Sequence, residues 1–157
     1  NACNSQMLGC FSPMHACIDN FIHTYAGVEL RLKMHEIMTK QGHEEETGKA
    51  KITSGYNLPA KYVLHTVGPI IQWKVTQEDE NLLASCYKEC LKLAADTGVE
   101  SIAFCCLSTG VFRFPQQRAA EIATETVMQF LKKDDRIKKV IFNVFKNEDL
   151  EIYSHLL

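Results

Sequence analysis

Cys10, His15 and Cys17 fall within one short segment that has neither helical nor strand periodicity. Thiolate and imidazole are the donors Zn²⁺ prefers. Spacings of five and two residues let a loop fold back and present three donors to one ion, and Pro13 would stiffen such a loop. Three protein ligands leave a fourth position open, the arrangement of catalytic zinc. No fourth donor lies close by: Cys3 is well upstream, and His23 falls on the helix that follows. The spacing is not that of a standard finger. Two other readings therefore stand beside the first. One is a pair of incidental cysteines with a surface histidine. The other is a closed structural site completed by a distant Cys105 or Cys106.

A second segment with chemical potential is Leu107-Ser108-Thr109-Gly110-Val111-Phe112, which follows an apolar strand and precedes a helix. Small residues and Gly110 let backbone approach a ligand. Successive N–H groups there could cradle a diphosphate. A plain strand-to-helix connection fits the same residues, and the Gly-Lys-Ser/Thr ending of a Walker loop is missing. Asp19, just after the cysteine segment, could act as a general base or simply start a helix. Cys86 and Cys90, four apart on a helix, read as buried thiols. Cys105 and Cys106 read as strand core, and His65 as a strand histidine satisfied internally.

The rest of the chain must position these groups. Its 157 residues fit one domain, with 46 % hydrophobic and 23 % charged residues. The net charge of −2, with signs mixed throughout, argues against a surface that tracks nucleic acid. No apolar run approaches the ~20 residues of a membrane helix. Seven cysteines, an odd count, with no signal peptide point to a reducing cytoplasm rather than a disulfide framework.

Asn1 to Cys17 reads as loop, with Asp19 and Asn20 as helix-start residues. Ile18, Phe21, Ile22 and Tyr25 then form an apolar stripe at helical spacing. Val28 to Thr39 reads as a second helix. Lys51 to Ser54 and Tyr62 to Val67 read as strands. Glu78 to Thr97 is a long helix ending at Gly98. Ser101 to Leu107 is an apolar run typical of a strand covered on both faces. Gln116 to Leu131 is helical, Lys139 to Phe145 a strand, and Asp149 to Leu156 a final helix. Alternating strands and helices predict an α/β layered domain, with ligands beyond the carboxyl ends of its strands.

Several segments together resemble the macrodomain family. Asn1-Ala2-Cys3-Asn4-Ser5 is similar to the family's Asn-Ala-Ala-Asn motif. Ile22-His23 with Ala26-Gly27, Val63 to Pro69, and Leu107 to Phe112 with Phe114-Pro115 match further motifs in the same order. Where most hydrolytic relatives carry a run of glycines after Leu8-Gly9, this chain has Cys10 to Cys17. That replacement resembles the zinc-dependent subclass associated with sirtuin-like ADP-ribosyltransferases, in which a Cys, a His and a Cys hold zinc.

The resemblance implies a three-layer α/β/α fold with a central mixed sheet, covered by 1–157 as one macrodomain without the family's N-terminal strands. It implies an enzyme that removes mono-ADP-ribose from a modified protein. Reading ADP-ribose without cutting it, or deacetylating O-acetyl-ADP-ribose, are the alternatives. By position, Asn4 and Asp19 would meet the distal ribose as catalytic residues. Ser108, Thr109, Gly110, Val111 and Phe112 would wrap the diphosphate and ribose. Asn143 and Phe145 would lie near the adenine. Cys10, His15 and Cys17 would hold Zn²⁺. A lipoyl-carrier protein would be the modified partner.

Overall fold

The computed structural model describes every residue from Asn1 to Leu157. In chain order the elements are β1 (Ala2–Cys3), α1 (Ile18–Ala26), α2 (Val28–Gln41), β2 (Ala50–Ser54) and β3 (Tyr62–Val67). They continue with α3 (Gln77–Asp96), β4 (Ser101–Phe104), α4 (Gln116–Leu131), β5 (Lys139–Phe142) and α5 (Asn147–Leu156). β3 is central in one ladder, parallel to β1 and antiparallel to β2. β4 and β5 form a separate parallel pair. No helix is long and apolar enough to cross a membrane.

Helices cover the strands from two sides. Ala26 of α1 with Leu30 and Met34 of α2 pack with Met7 against Cys3 and Val67. The other layer joins Leu83, Tyr87 and Leu91 of α3 to Ala120, Ala123 and Val127 of α4, with Phe104 of β4 beneath them. Each large apolar side chain withdrawn from water here contributes about 1.5–3 kcal/mol. Thr76 and Asp79 close a capping box at the start of α3, which fixes where the chain turns from β3 into that layer. The result is a three-layer α/β/α sandwich with a mixed sheet.

The structure corrects four sequence expectations. First, Asn1 to Cys17 is not all loop, since Ala2–Cys3 is a strand. Two residues carry no periodicity, so its register comes from β3. The Asn1 amino group donates to Leu64 O at 2.6 Å, and Thr66 N–H donates to Asn1 O at 3.0 Å. Second, β4 stops at Phe104 and is covered on one face only. Ile102 and Phe104 are buried, whereas Ser101 and Ala103 are exposed. Between β3 and β4 lies a cleft of about 800 Å³, lined by residues of both strands and largely apolar. Third, β5 stops at Phe142, so Asn143 and Phe145 belong to the segment beyond it.

The fourth correction concerns the face that α1 buries. Three residues of the apolar stripe, Ile18, Phe21 and Tyr25, are exposed, whereas Ile22 is half-buried and packs on the α1–α2 core. Asp19, His23 and Ala26 point inward. Helical spacing places Asp19 and His23 one above the other, so a polar stripe enters the interior. Burying it requires polar partners or a ligand, and the site supplies some of these.

Candidate active site

Three strand ends converge. Cys3 lies opposite Val67, which sets Asn4, the residue after β1, beside Gly68, the residue after β3. A Cβ built on Gly68 would sit 2.0 Å from Ser108 Oγ. Only glycine lets these two segments touch, and the contact draws the loop after β4 to the ends of β1 and β3.

That loop is held at both ends by buried Leu107 and Phe114. Phe114 N–H donates to Ser108 O at 2.9 Å, Arg113 N–H to Gly110 O at 3.0 Å, and Ile71 N–H to Phe112 O at 2.8 Å. Ser108 and Arg113 take left-handed dihedrals, φ 63° and 62°. The sequence assigned the loop's conformational freedom to Gly110. The positive φ falls instead on its neighbours, and a Cβ on Gly110 would meet open space. Within the loop, the N–H groups of Thr109, Gly110, Val111 and Phe112 donate to no other group of the chain. The buried Ser108 hydroxyl also lacks a partner. Unpaired main-chain donors in series are what an anionic group such as a diphosphate requires.

Asp19 lies in the first turn of α1 and is buried. Its side chain does not cap the helix; Cys17 does, its sulfur accepting from Asn20 N–H. Asp19 Oδ1 instead accepts from Asn1 Nδ2 at 2.9 Å and lies 3.6 Å from His23 Nε2. The same Asn1 amide donates to His65 Nδ1 at 3.1 Å. His65 must then carry its proton on Nε2, which donates to Thr53 Oγ1 at 3.0 Å. Burial holds His65 well below the ordinary imidazole value. Burial also lowers His23, against an opposing pull from Asp19. Neither ring nitrogen of His23 has a hydrogen-bond partner, although the ring is buried. Gly9 lies against this ring, where a Cβ would come 2.5 Å from it.

Sequence reasoning singled out Asp19 and missed Asn1 and His23. Four-residue spacing on one helix was the available signal for His23. Nothing local identified Asn1, whose role depends on the pairing with β3. Asn4 is exposed, and its Oδ1 accepts from Gln6 N–H at 3.1 Å within the turn after β1. Asn143 and Phe145 are exposed, with Phe145 98 % accessible. Asn143 N–H donates to Phe104 O at 2.7 Å, so Asn143 stays at the end of β4 despite leaving the strand.

The structure brings Cys10, His15 and Cys17 together, their donor atoms all within 4.8 Å of one another. Cys10 Sγ and His15 Nδ1 are 3.2 Å apart. Zinc with ordinary Zn–S and Zn–N bonds would set such a pair about 3.5 Å apart at a tetrahedral angle. The donor set and its spacing therefore fit zinc. The hydrogen bond from His15 lowers Cys10 to about 7, so its thiolate is accessible at neutral pH. Burial raises Cys17. Cys105 and Cys106 lie beyond β4 and join the α3–α5 core, so they are not part of this cluster. Cys86 and Cys90 are buried thiols, as their helical spacing predicted.

Residues 1–123 match the family model described as Macro domain. The chain belongs to the macrodomain family. It is 59 % identical over 157 residues to a protein of Treponema medium named protein-ADP-ribose hydrolase, matching 100 % of this chain and 60 % of that one. The macrodomain thus spans less than two thirds of that curated relative's length. Among solved structures, an Oceanobacillus iheyensis macrodomain with ADP superimposes with a TM-score of 0.88 at 39 % identity. It covers 99 % of this chain and 79 % of its own. A Trypanosoma brucei macrodomain in complex with ADP-ribose gives 0.83 at 34 %, covering 99 % and 61 %.

Proposed function

We propose that this macrodomain is the catalytic part of a zinc-dependent hydrolase that releases mono-ADP-ribose from a modified protein. One observation carries the reading. A buried carboxylate, Asp19, lies two residues from a thiol of the Cys10–His15–Cys17 trio, at strand ends that also present four unpaired amide groups.

The diphosphate of ADP-ribose rests on the N–H groups of Thr109, Gly110, Val111 and Phe112, with Ser108 donating its hydroxyl. Phe145 offers an open ring face to the adenine, beside Asn143. The distal ribose then extends past Asn4 toward Asp19. Cys10, His15 and Cys17 would hold zinc, which would supply Lewis-acid chemistry at the distal ribose, polarising a hydroxyl or lowering the pKa of a water. Asp19 orients a water and takes its proton. The oxygen bonds to the anomeric carbon, the bond to the protein side chain breaks, and that side chain leaves with the proton Asp19 took, which restores the carboxylate. Asn1 fixes the Asp19 carboxylate by donating its side-chain amide to Oδ1.

By resemblance, the substrate is a lipoyl carrier modified by a sirtuin-like ADP-ribosyltransferase, in the cytoplasm. Residues 1–157 act as one macrodomain whose sheet accepts a further strand between β3 and β4. The apolar cleft there, lined by β4 and by Tyr62, Val63 and Leu64 of β3, which β1 leaves unpaired on that side, supports that part of the reading.

The test follows labelled ADP-ribose on a modified protein. Asp19→Asn lowers turnover by about 10²–10⁴-fold, the range for a general base. Calorimetry then shows ADP-ribose still bound. Unchanged turnover removes Asp19 from the chemistry. Binding without any release of label from the unaltered protein identifies a reader.

A further inference from the structure

The loop that carries Cys10, His15 and Cys17 has little structure of its own. Its main-chain bonds are His15 N–H to Ser12 O at 3.2 Å and Cys17 N–H to His15 O at 2.8 Å. Phe11, Ser12, Pro13 and Met14 are exposed, Met14 by 98 %. Yet three donor atoms from this segment converge within 4.8 Å. Something outside the loop must set its shape, because an unbraced segment loses that geometry to conformational entropy.

Asn20 supplies the brace. It sits in the first turn of α1, with both its main chain and its side chain aimed at the loop. Its main-chain N–H donates to Cys17 Sγ at 3.4 Å. Its carboxamide Nδ2 has two hydrogens, and it donates to Cys10 O and to Ser12 O, each at 3.1 Å. One half-buried residue thus touches both thiol-bearing residues, from a rigid helix. The incoming limb is held separately from α2. Arg31 Nη1 donates to Leu8 O at 2.7 Å, and its guanidinium lies 4.2 Å above the Phe11 ring. The next residue back from Asn20 is Asp19, so the turn that shapes the metal loop also carries the carboxylate.

We propose that Asn20 is a positioning residue for the metal: its side chain pre-forms the Cys10–His15–Cys17 loop and sets it against Asp19. This rests on the zinc reading above. Asparagine is the residue type the geometry requires. Both partners of the carboxamide are carbonyl oxygens, so only a donor satisfies them. Aspartate has the same shape but offers acceptors alone, and would turn two hydrogen bonds into two repulsions. Residues that orient metal ligands are worth about 10–100-fold in metal affinity.

The experiment uses Co²⁺, whose thiolate charge-transfer and visible bands report coordination without any enzymatic turnover. The metal-free intact protein is titrated with Co²⁺ alone, and zinc affinity is read by competition with a chromophoric chelator. The unaltered protein binds one ion with sulfur-ligand bands. Asn20→Ala and Asn20→Asp both weaken binding by about 10–100-fold and keep the bands at saturation. Asn20→Asp is the weaker of the two. Thr24→Ala, on the exposed side of the same helix, stays within about twofold of the unaltered protein, well outside the 10–100-fold range. Cobalt affinity unchanged in both Asn20 variants overturns the role of Asn20 and leaves the metal site standing. A lower melting temperature of the metal-free variants with unchanged cobalt affinity does the same, since it shows a merely structural role. Absence of sulfur-ligand bands in the unaltered protein overturns the metal reading itself, and this proposal with it. If Asn20→Ala fails to fold, Asn20→Asp decides alone, because it keeps side-chain volume and the main-chain bond to Cys17.

Discussion

Cys10 on one side, and Cys86 and Cys90 on the other, are the same side chain with opposite fates. Cys86 and Cys90 lie four residues apart on α3, inside the core, and burial pushes them up to about 11 and about 12. They behave as small apolar groups. Cys10 lies on an irregular loop, where His15 brings it down to about 7. Regular secondary structure gives a thiol neighbours of its own kind and excludes water. A loop braced from a helix gives it an imidazole and leaves it reachable. Reactivity is therefore a property of the backbone context and not of the residue type.

The largest expected effect tests that contrast directly. In metal-free protein at pH 7, iodoacetamide should modify Cys10 more than about 10²-fold faster than Cys90, because thiolate is the attacking species and the lower-pKa thiolate is only partly offset by its weaker nucleophilicity. Peptide mapping against time reads both rates. Comparable rates would erase the distinction between the two sets.

Substitution sharpens the same contrast. Cys10→Ser, His15→Ala and Cys17→Ser should each weaken zinc by more than about 100-fold, beyond the range of an outer-shell residue, and hydrolysis should fall with it. Cys90→Ala should keep metal and activity while costing about 1–2 kcal/mol in stability from the lost contact. Metal content and denaturant unfolding on one set of variants measure both quantities. Loss of zinc in Cys90→Ala would show that the two cysteine sets are coupled.

The smallest effect extends the comparison to histidine. His15 lies on the metal loop, whereas His23 and His65 are buried and held below the ordinary imidazole value. The unfolded chain takes up protons near pH 6.5 that these folded histidines refuse. Stability is thus complete above that pH and is lost as the pH falls below it. Melting temperature should drop between pH 7 and pH 5, and His65→Gln should flatten the slope. A melting temperature that rises on acidification would contradict the burial assigned to both rings.

Much of the architecture could be read in advance because it is periodic. The helix Gln116–Leu131 and the strand Tyr62–Val67 have the expected bounds. The Cys10–His15–Cys17 cluster, which could hold a metal ion, was also legible, since its three donors are close in sequence and their types alone restrict the chemistry. The inward face of α1 was not. Apolar periodicity grouped Ile18, Phe21, Ile22 and Tyr25 on one face, whereas the polar residues Asp19 and His23 are the ones fully buried. A carboxylate buried in the interior reverses the usual pattern, and no pattern of hydrophobicity reveals that reversal.

The sequence by itself determined the order of strands and helices after β1, the three side chains that could hold a metal ion and the small-residue loop after β4. These depend on neighbours within a few residues along the chain. Tertiary structure alone decided that Asn1 reaches both Asp19 and His65, that Gly68 and not Gly110 is the glycine pressed against Ser108, and that Asn20 grips the cysteine loop. Each of these is a meeting of segments that no local propensity encodes. It exists because β1 pairs with β3, the loop after β4 closes on Gly68, and α1 points its first turn at the loop before it.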